Sequence, residues 1–178
     1  MDYKKLGKEQ IYSGPVFDLV KVFLQLPDRR ERSYDLIEHH GSVTIVPVDD
    51  QGRVYFVRQY RVGAGHPLLE LAAGVLEQDE DPLVCAEREL QEEIGMGARE
   101  LKLLGSFFLA PGYTSELMTI FLGRGLYISP LEPDEDEFLE VVTLPIEEVY
   151  QHAFSGKIED GKTLAALLLA MPHIKKGG

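Results

Sequence analysis

The residues with the greatest capacity for chemistry lie in Arg88-Glu89-Leu90-Gln91-Glu92-Glu93-Ile94-Gly95, which places three carboxylates within five positions. At about 100° per residue, Glu89 and Glu93 stand about 40° apart on a helix and Glu92 about 60° to the other side of Glu89, so all three share one arc. Like charges at this spacing weaken a helix by about 0.2–0.5 kcal/mol per pair, and near its C-terminal end the helix dipole opposes them, so some compensation is expected. Hard oxygen ligands so arranged suit Mg²⁺, which keeps several waters and bridges to phosphates. A bare Glu-x-x-Glu-Glu, taken by itself, reads as a solvated acidic face.

Such a cluster needs elements to hold it. Leu83, Ala86, Leu90 and Ile94 recur at helical spacing between Pro82 and Gly95, which predicts an amphipathic helix over Asp81 to Ile94 with the carboxylate arc beside its apolar stripe. Upstream, Val16 to Leu26 and Ser33 to Ile37 flank the charged turn Pro27 to Glu31, predicting a hairpin or small sheet. Val43 to Val48 and Arg53 to Tyr60 flank Asp49-Asp50-Gln51-Gly52, predicting a second hairpin. Further strands are expected at Leu101 to Leu109, Leu117 to Leu122 and Phe138 to Leu144, and helices at Pro145 to Phe154 and Lys162 to Met171. Strands and helices alternate without a regular βαβ rhythm, so a mixed sheet packed by helices fits better than a doubly wound parallel one.

Composition narrows the partners. A chain of 178 residues, 44% hydrophobic, can bury one core, with room for a small appended segment. Its net charge of −12 disfavours nucleic acid, whereas bound divalent cations can reverse the local field for a small phosphorylated ligand. Cys85 is the sole cysteine, which excludes an intrachain disulfide and fits a reducing compartment. MDYKKLGKEQ lacks the apolar core of a signal peptide and Leu164 to Met171 is too short to span a bilayer, so a cytoplasmic protein without membrane contact is expected. The five histidines show no zinc spacing.

The wider pattern runs Gly74, five residues, Glu80, seven residues, Arg88-Glu89-Leu90, one residue, Glu92-Glu93, one residue, Gly95-Met96. It resembles the complete Nudix box, with every fixed position filled over 23 residues. The resemblance implies an α/β fold, a Nudix-type α/β/α sandwich with a mixed sheet over residues 41–178, preceded by a small N-terminal β segment over residues 1–40 that serves a homodimer. It implies water attacking a nucleoside diphosphate linked to another moiety. Carried over by position, Glu89 and Glu93 are the main Mg²⁺ ligands, with Mn²⁺ as a substitute. Glu92 is a further ligand or water holder, the Ala73 carbonyl completes a site, and Glu77 matches a ligand of some members. Arg88 and Glu80 would form an ion pair bracing loop against helix.

Outside the box, Arg58-Gln59-Tyr60-Arg61 and Leu68-Leu69-Glu70-Leu71-Ala72-Ala73-Gly74 resemble the ADP-ribose pyrophosphatase branch, with Ala72 in place of the usual Pro. Pro111, sixteen residues after Gly95, has the spacing of that branch and sits in Ala110 to Glu116, similar to its substrate loop. The acidic stretch Asp134 to Glu137, by itself a solvated loop, then aligns Glu135 with a catalytic base and Glu137 with a metal-linked carboxylate; Glu92 is the next base. Arg61 is expected at a phosphate, Glu70 at the substrate, Glu116 at the substrate's ribose or a partner subunit, and Phe17, Arg32 or Tyr34 at the nucleobase. Substrates left open are ADP-ribose and other nucleoside diphosphate sugars such as GDP-mannose, and a non-catalytic nucleotide-binding module is a competing reading.

Two features compete for attention. Gly156-Lys157-Ile158-Glu159-Asp160-Gly161-Lys162-Thr163 satisfies the Walker A pattern, but a helical segment precedes it and Glu159-Asp160 would repel phosphate, so it reads as a turn between helices. Cys85, four residues before Glu89, reads as a packing residue rather than a nucleophile.

Overall fold

Ser42–Pro47 is a charge-free, β-branched run, and every one of its residues is buried. A strand buried on both faces must lie inside a covered sheet, and this strand organises the architecture. The computed structural model describes residues 2–132 and 138–174. In chain order the strands are β1 (Lys4–Ser13), β2 (Asp18–Gln25), β3 (Glu31–Glu38), β4 (Ser42–Pro47), β5 (Arg53–Arg61), β6 (His66–Glu70) and β7 (Ala73–Val75). Helix α1 (Pro82–Ile94) follows, then β8 (Met96–Phe108), β9 (Leu117–Ile128), β10 (Glu140–Pro145), α2 (Ile146–Ser155) and α3 (Gly161–Ile174).

The chain divides into two compact units, residues 1–41 with 107–117, and residues 42–106 with 118–178. In the larger unit β4 pairs antiparallel with β7 and parallel with β9, and β8 lies beyond β9. The expected mixed sheet is therefore present. A second sheet places β5 antiparallel between β10 and β6. Helix α1 packs on β4, β5 and β7, α3 on β4, and α2 on β5 and β10. Val43, Ile45, Val57, Ala72, Cys85, Ala86, Leu90, Ile94 and Phe121 form the core beneath α1. Among the described residues no helix is long and apolar enough to cross a membrane.

The expected hairpin at Asp49 to Gly52 is corrected in part. Its turn forms, with Asp49 Oδ1 accepting from the Gln51 and Arg53 amides at 2.9 Å and Gly52 at a φ of 72°. Only Val48 and Val54 then bridge, because both edges of β4 are occupied by β7 and β9. The strands part into different sheets.

In the smaller unit β2 and β3 pair as predicted, from Asp18↔Glu38 to Gln25↔Glu31. Strand β1, which the hydrophobic pattern does not predict, completes this antiparallel sheet along β2. Nearly all its residues are exposed, so it carries no apolar period. The loop Ala110 to Glu116 is fastened to the end of β3: the Ile37 amide donates to the Tyr113 carbonyl at 2.8 Å, and the Ser115 amide to the Ile37 carbonyl at 2.9 Å.

Candidate active site

Helix α1 has explicit ends. Asp81 accepts from the Leu83 amide at 2.7 Å, Pro82 opens the first turn, and Gly95, at a φ of 70°, returns its N–H to the Leu90 carbonyl. Its buried face is Cys85, Ala86, Glu89, Leu90, Glu93 and Ile94. Leu83, expected in the stripe, is exposed. Two carboxylates thus lie in the buried surface itself, Glu89 at 7% and Glu93 at 5% exposure. Buried carboxylates require partners.

The partner of Glu93 comes from β7 and that of Glu89 from α1 itself. Glu93 Oε2 accepts the Ala73 amide at 2.9 Å. Arg88 Nη1 donates to Glu89 Oε1 at 2.6 Å and to Glu92 Oε2 at 3.0 Å, while its Nε and Nη2 hold Glu80 at 3.1 Å each. The brace between Arg88 and Glu80 is as expected, and the same guanidinium supplies the compensation that the acidic arc needs. Glu80 in turn accepts the Glu77 amide at 2.9 Å, closing the loop; the Glu77 side chain is exposed.

Arg88 holds the Glu80 carboxyl below the usual carboxylate range. A folded-state pKa below the unfolded value stabilises the fold above the unfolded pKa, and that stability is lost as pH falls through the lowered value. Glu80→Gln is therefore expected to lower the unfolding free energy by about 1–2 kcal/mol at pH 7 and by progressively less as the pH is taken down through the carboxylate range, read by urea denaturation across that range.

Gly74 is dictated by close approach. A Cβ there would stand 1.8 Å from Glu89 Oε1, and the position has no positive φ that would itself demand glycine. The Glu89 carboxylate is cradled against bare backbone. Among the described residues no three His, Cys, Asp or Glu side chains already form a cation cage, since Arg88 draws Glu89 and Glu92 to itself.

Arg61 and Glu70 meet one another. Arg61 Nε and Nη2 donate to the two Glu70 oxygens at 2.8 and 2.7 Å, and Lys162 Nζ pairs with the same carboxylate. Glu70 is 1% exposed. Burial pushes its carboxyl up, but Arg61 and Lys162 outweigh that and the net shift is downward. Lys162 belongs to the Walker-like string, which is a turn between helices as expected: Gly156 ends α2, Gly161 opens α3, and Asp160 Oδ2 accepts the Thr163 amide at 2.9 Å. No strand precedes it, as expected.

Phe17 and Glu116 belong to the smaller unit. Phe17 tilts against Tyr12 with ring centroids 6.3 Å apart, and the Glu116 amide donates to Thr114 Oγ1 at 3.2 Å. Arg32 and Tyr34 are exposed on β3. Glu135 and Glu137 lie outside the described residues.

Cys85 packs as expected, fully buried, its thiol facing the Val75 carbonyl at 3.7 Å. Burial pushes the thiol up to about 12, leaving almost no thiolate at neutral pH. Native protein is expected to resist a thiol-specific chromogenic reagent for hours and to react within minutes in denaturant; fast native labelling would contradict the packing role.

A model of the NUDIX domain matches residues 38–167. The chain is 34% identical to an ADP-ribose pyrophosphatase from Bacillus subtilis (strain 168), covering 94% of this chain and 91% of the relative. It is 32% identical to a methanol dehydrogenase activator from Bacillus methanolicus, covering 92% and 90%. A crystal structure of an ADP compounds hydrolase superposes with a TM-score of 0.85 at 28% identity, covering 98% of this chain and 95% of that one. With the domain matched across most of its length and the box carboxylates gathered around Gly74 and Arg88, the chain belongs to the Nudix family.

Proposed function

We propose that the chain is a divalent-cation-dependent hydrolase that cleaves the diphosphate of ADP-ribose to AMP and ribose 5-phosphate. The observation that carries this reading is the pair of buried carboxylates, Glu89 set against backbone that glycine at position 74 leaves open and Glu93 held by the Ala73 amide. The relatives named for ADP-ribose and ADP compounds support the substrate.

The donor set fits Mg²⁺, or Mn²⁺ in its place: hard oxygens from Glu89, Glu93 and Glu92, with the Ala73 carbonyl. When bound, the cation would neutralise charge on the diphosphate and acidify an attacking water. Arg61, oriented by both Glu70 oxygens, is the proposed phosphate contact, so Glu70 acts through Arg61. Glu135 is the proposed base with Glu92 next, and Glu137 a further ligand. Phe17 and Glu116 are proposed to meet the nucleoside and ribose. Residues 1–40 are proposed to form a homodimer, a reading supported by exposed Leu6, Ile11 and Tyr12 on β1, and the protein to work in the cytoplasm.

The test is a substrate panel of ADP-ribose, GDP-mannose and other nucleoside diphosphate sugars with Mg²⁺, Mn²⁺ or chelator, read by product identity. AMP and ribose 5-phosphate formed only with cation is the expected result. Preference for GDP-mannose would move the substrate, and thermal stabilisation by nucleotide with no product under either cation would make the chain a binding module.

A further inference from the structure

Lys162 and Thr163 lie in the first turn of α3. Both are withdrawn from solvent, Thr163 at 0% exposure and the Lys162 side chain at 13%. Both reach the segment that leads into Gly74. Lys162 Nζ holds Glu70 and, at 3.0 Å, Asp160 Oδ2. Thr163 Oγ1 accepts the Leu71 amide at 2.9 Å. The next two residues are fixed as well: the Ala72 carbonyl accepts the Ile45 amide at 2.9 Å, and the Ala73 amide donates to Glu93 at 2.9 Å. Four successive residues are therefore pinned, the first two by α3 and the last to a carboxylate of the box.

We propose that Lys162 and Thr163 are positioning residues, the first turn of α3 setting the register of Glu70 to Ala73 and thereby the places of the Arg61 guanidinium and the Glu93 carboxylate. The inference rests on the hydrolase reading of Glu93 and Arg61. The two residues divide the work. Thr163 acts through the backbone, two residues before the amide that holds Glu93. Lys162 acts through Glu70, whose other partner is Arg61. Reacting groups tolerate misplacement poorly, an error of about 1 Å costing about a hundredfold in rate, so a structural anchor of this kind has a kinetic signature.

The experiment compares Thr163→Val, which keeps the volume and removes the acceptor, with Thr163→Ser, which restores it, and with Lys162→Met. ADP-ribose hydrolysis with Mg²⁺ gives kcat and KM, and amide hydrogen exchange is followed at Leu71 and Ala73. Thr163→Val is expected to lower kcat by about 10- to 100-fold with KM within about twofold, and to speed exchange at both amides, while Thr163→Ser stays near wild type. Lys162→Met is expected to raise KM by about tenfold with smaller loss of kcat. Wild-type kcat in Thr163→Val, no rescue by serine, or faster exchange at Leu71 with none at Ala73 would each overturn the proposal. If Thr163→Val does not fold, Lys162→Met decides, an unchanged KM overturning it. If the wild-type chain hydrolyses nothing, the hydrolase reading fails on its own, and exchange at Ala73 still decides whether α3 governs the segment.

Discussion

Glu93→Gln is expected to keep the fold and to lower turnover by about a thousandfold. The substitution is nearly isosteric, and the amide oxygen can still accept the Ala73 N–H that Glu93 Oε2 now takes at 2.9 Å. What is lost is a full negative charge at a position 5% exposed, where a charge is felt more strongly than at the surface. Removing it also eases the burial of the site, so the melting temperature is expected to stay level or rise. Paired measurements of kcat and thermal unfolding check this; a fall of less than about tenfold would remove Glu93 from the metal-binding role.

Gly74→Ala is expected to be nearly as damaging to turnover, by about a hundredfold, for a different reason. The added methyl would meet Glu89 Oε1 at 1.8 Å and its carboxyl carbon at 1.9 Å. Those atoms end a flexible side chain, so the chain yields by swinging Glu89 aside rather than by unfolding. Backbone strain is no obstacle, since Gly74 has no positive φ. The expected result is a folded protein with weakened Mg²⁺ affinity, measured calorimetrically, beside impaired hydrolysis. Wild-type Mg²⁺ affinity in Gly74→Ala would show that the place of Glu89 does not matter.

The contrast between these variants reflects how the site is encoded. Helix α1 was legible because its caps, its period and its charged arc all occur within one short stretch, and the Arg88 to Glu80 brace was legible from the box pattern. Leu83 misled because four apolar residues at helical spacing do not distinguish a wide buried face from one shifted by a residue, and burial of Glu89 and Glu93 shifted it. Strand β1 was missed because pairing with β2, not burial, holds it, and pairing leaves no hydrophobic signature. The link between Lys162 and Glu70 joins residues 92 apart, and no local pattern reports such a contact. The chemistry of a site is written in residue type and spacing, whereas the supports that hold it come from wherever the fold brings them.

One guanidinium serves Glu80, Glu89 and Glu92, so within that quartet three negative charges meet a single positive one. The surplus acts as a filter on sign ahead of any fit of shape. The quartet would attract a dication and would repel a diphosphate that came without one. On the proposed function, the surplus would favour a cation arriving before the nucleotide, so that local acidity serves the binding of a polyanion.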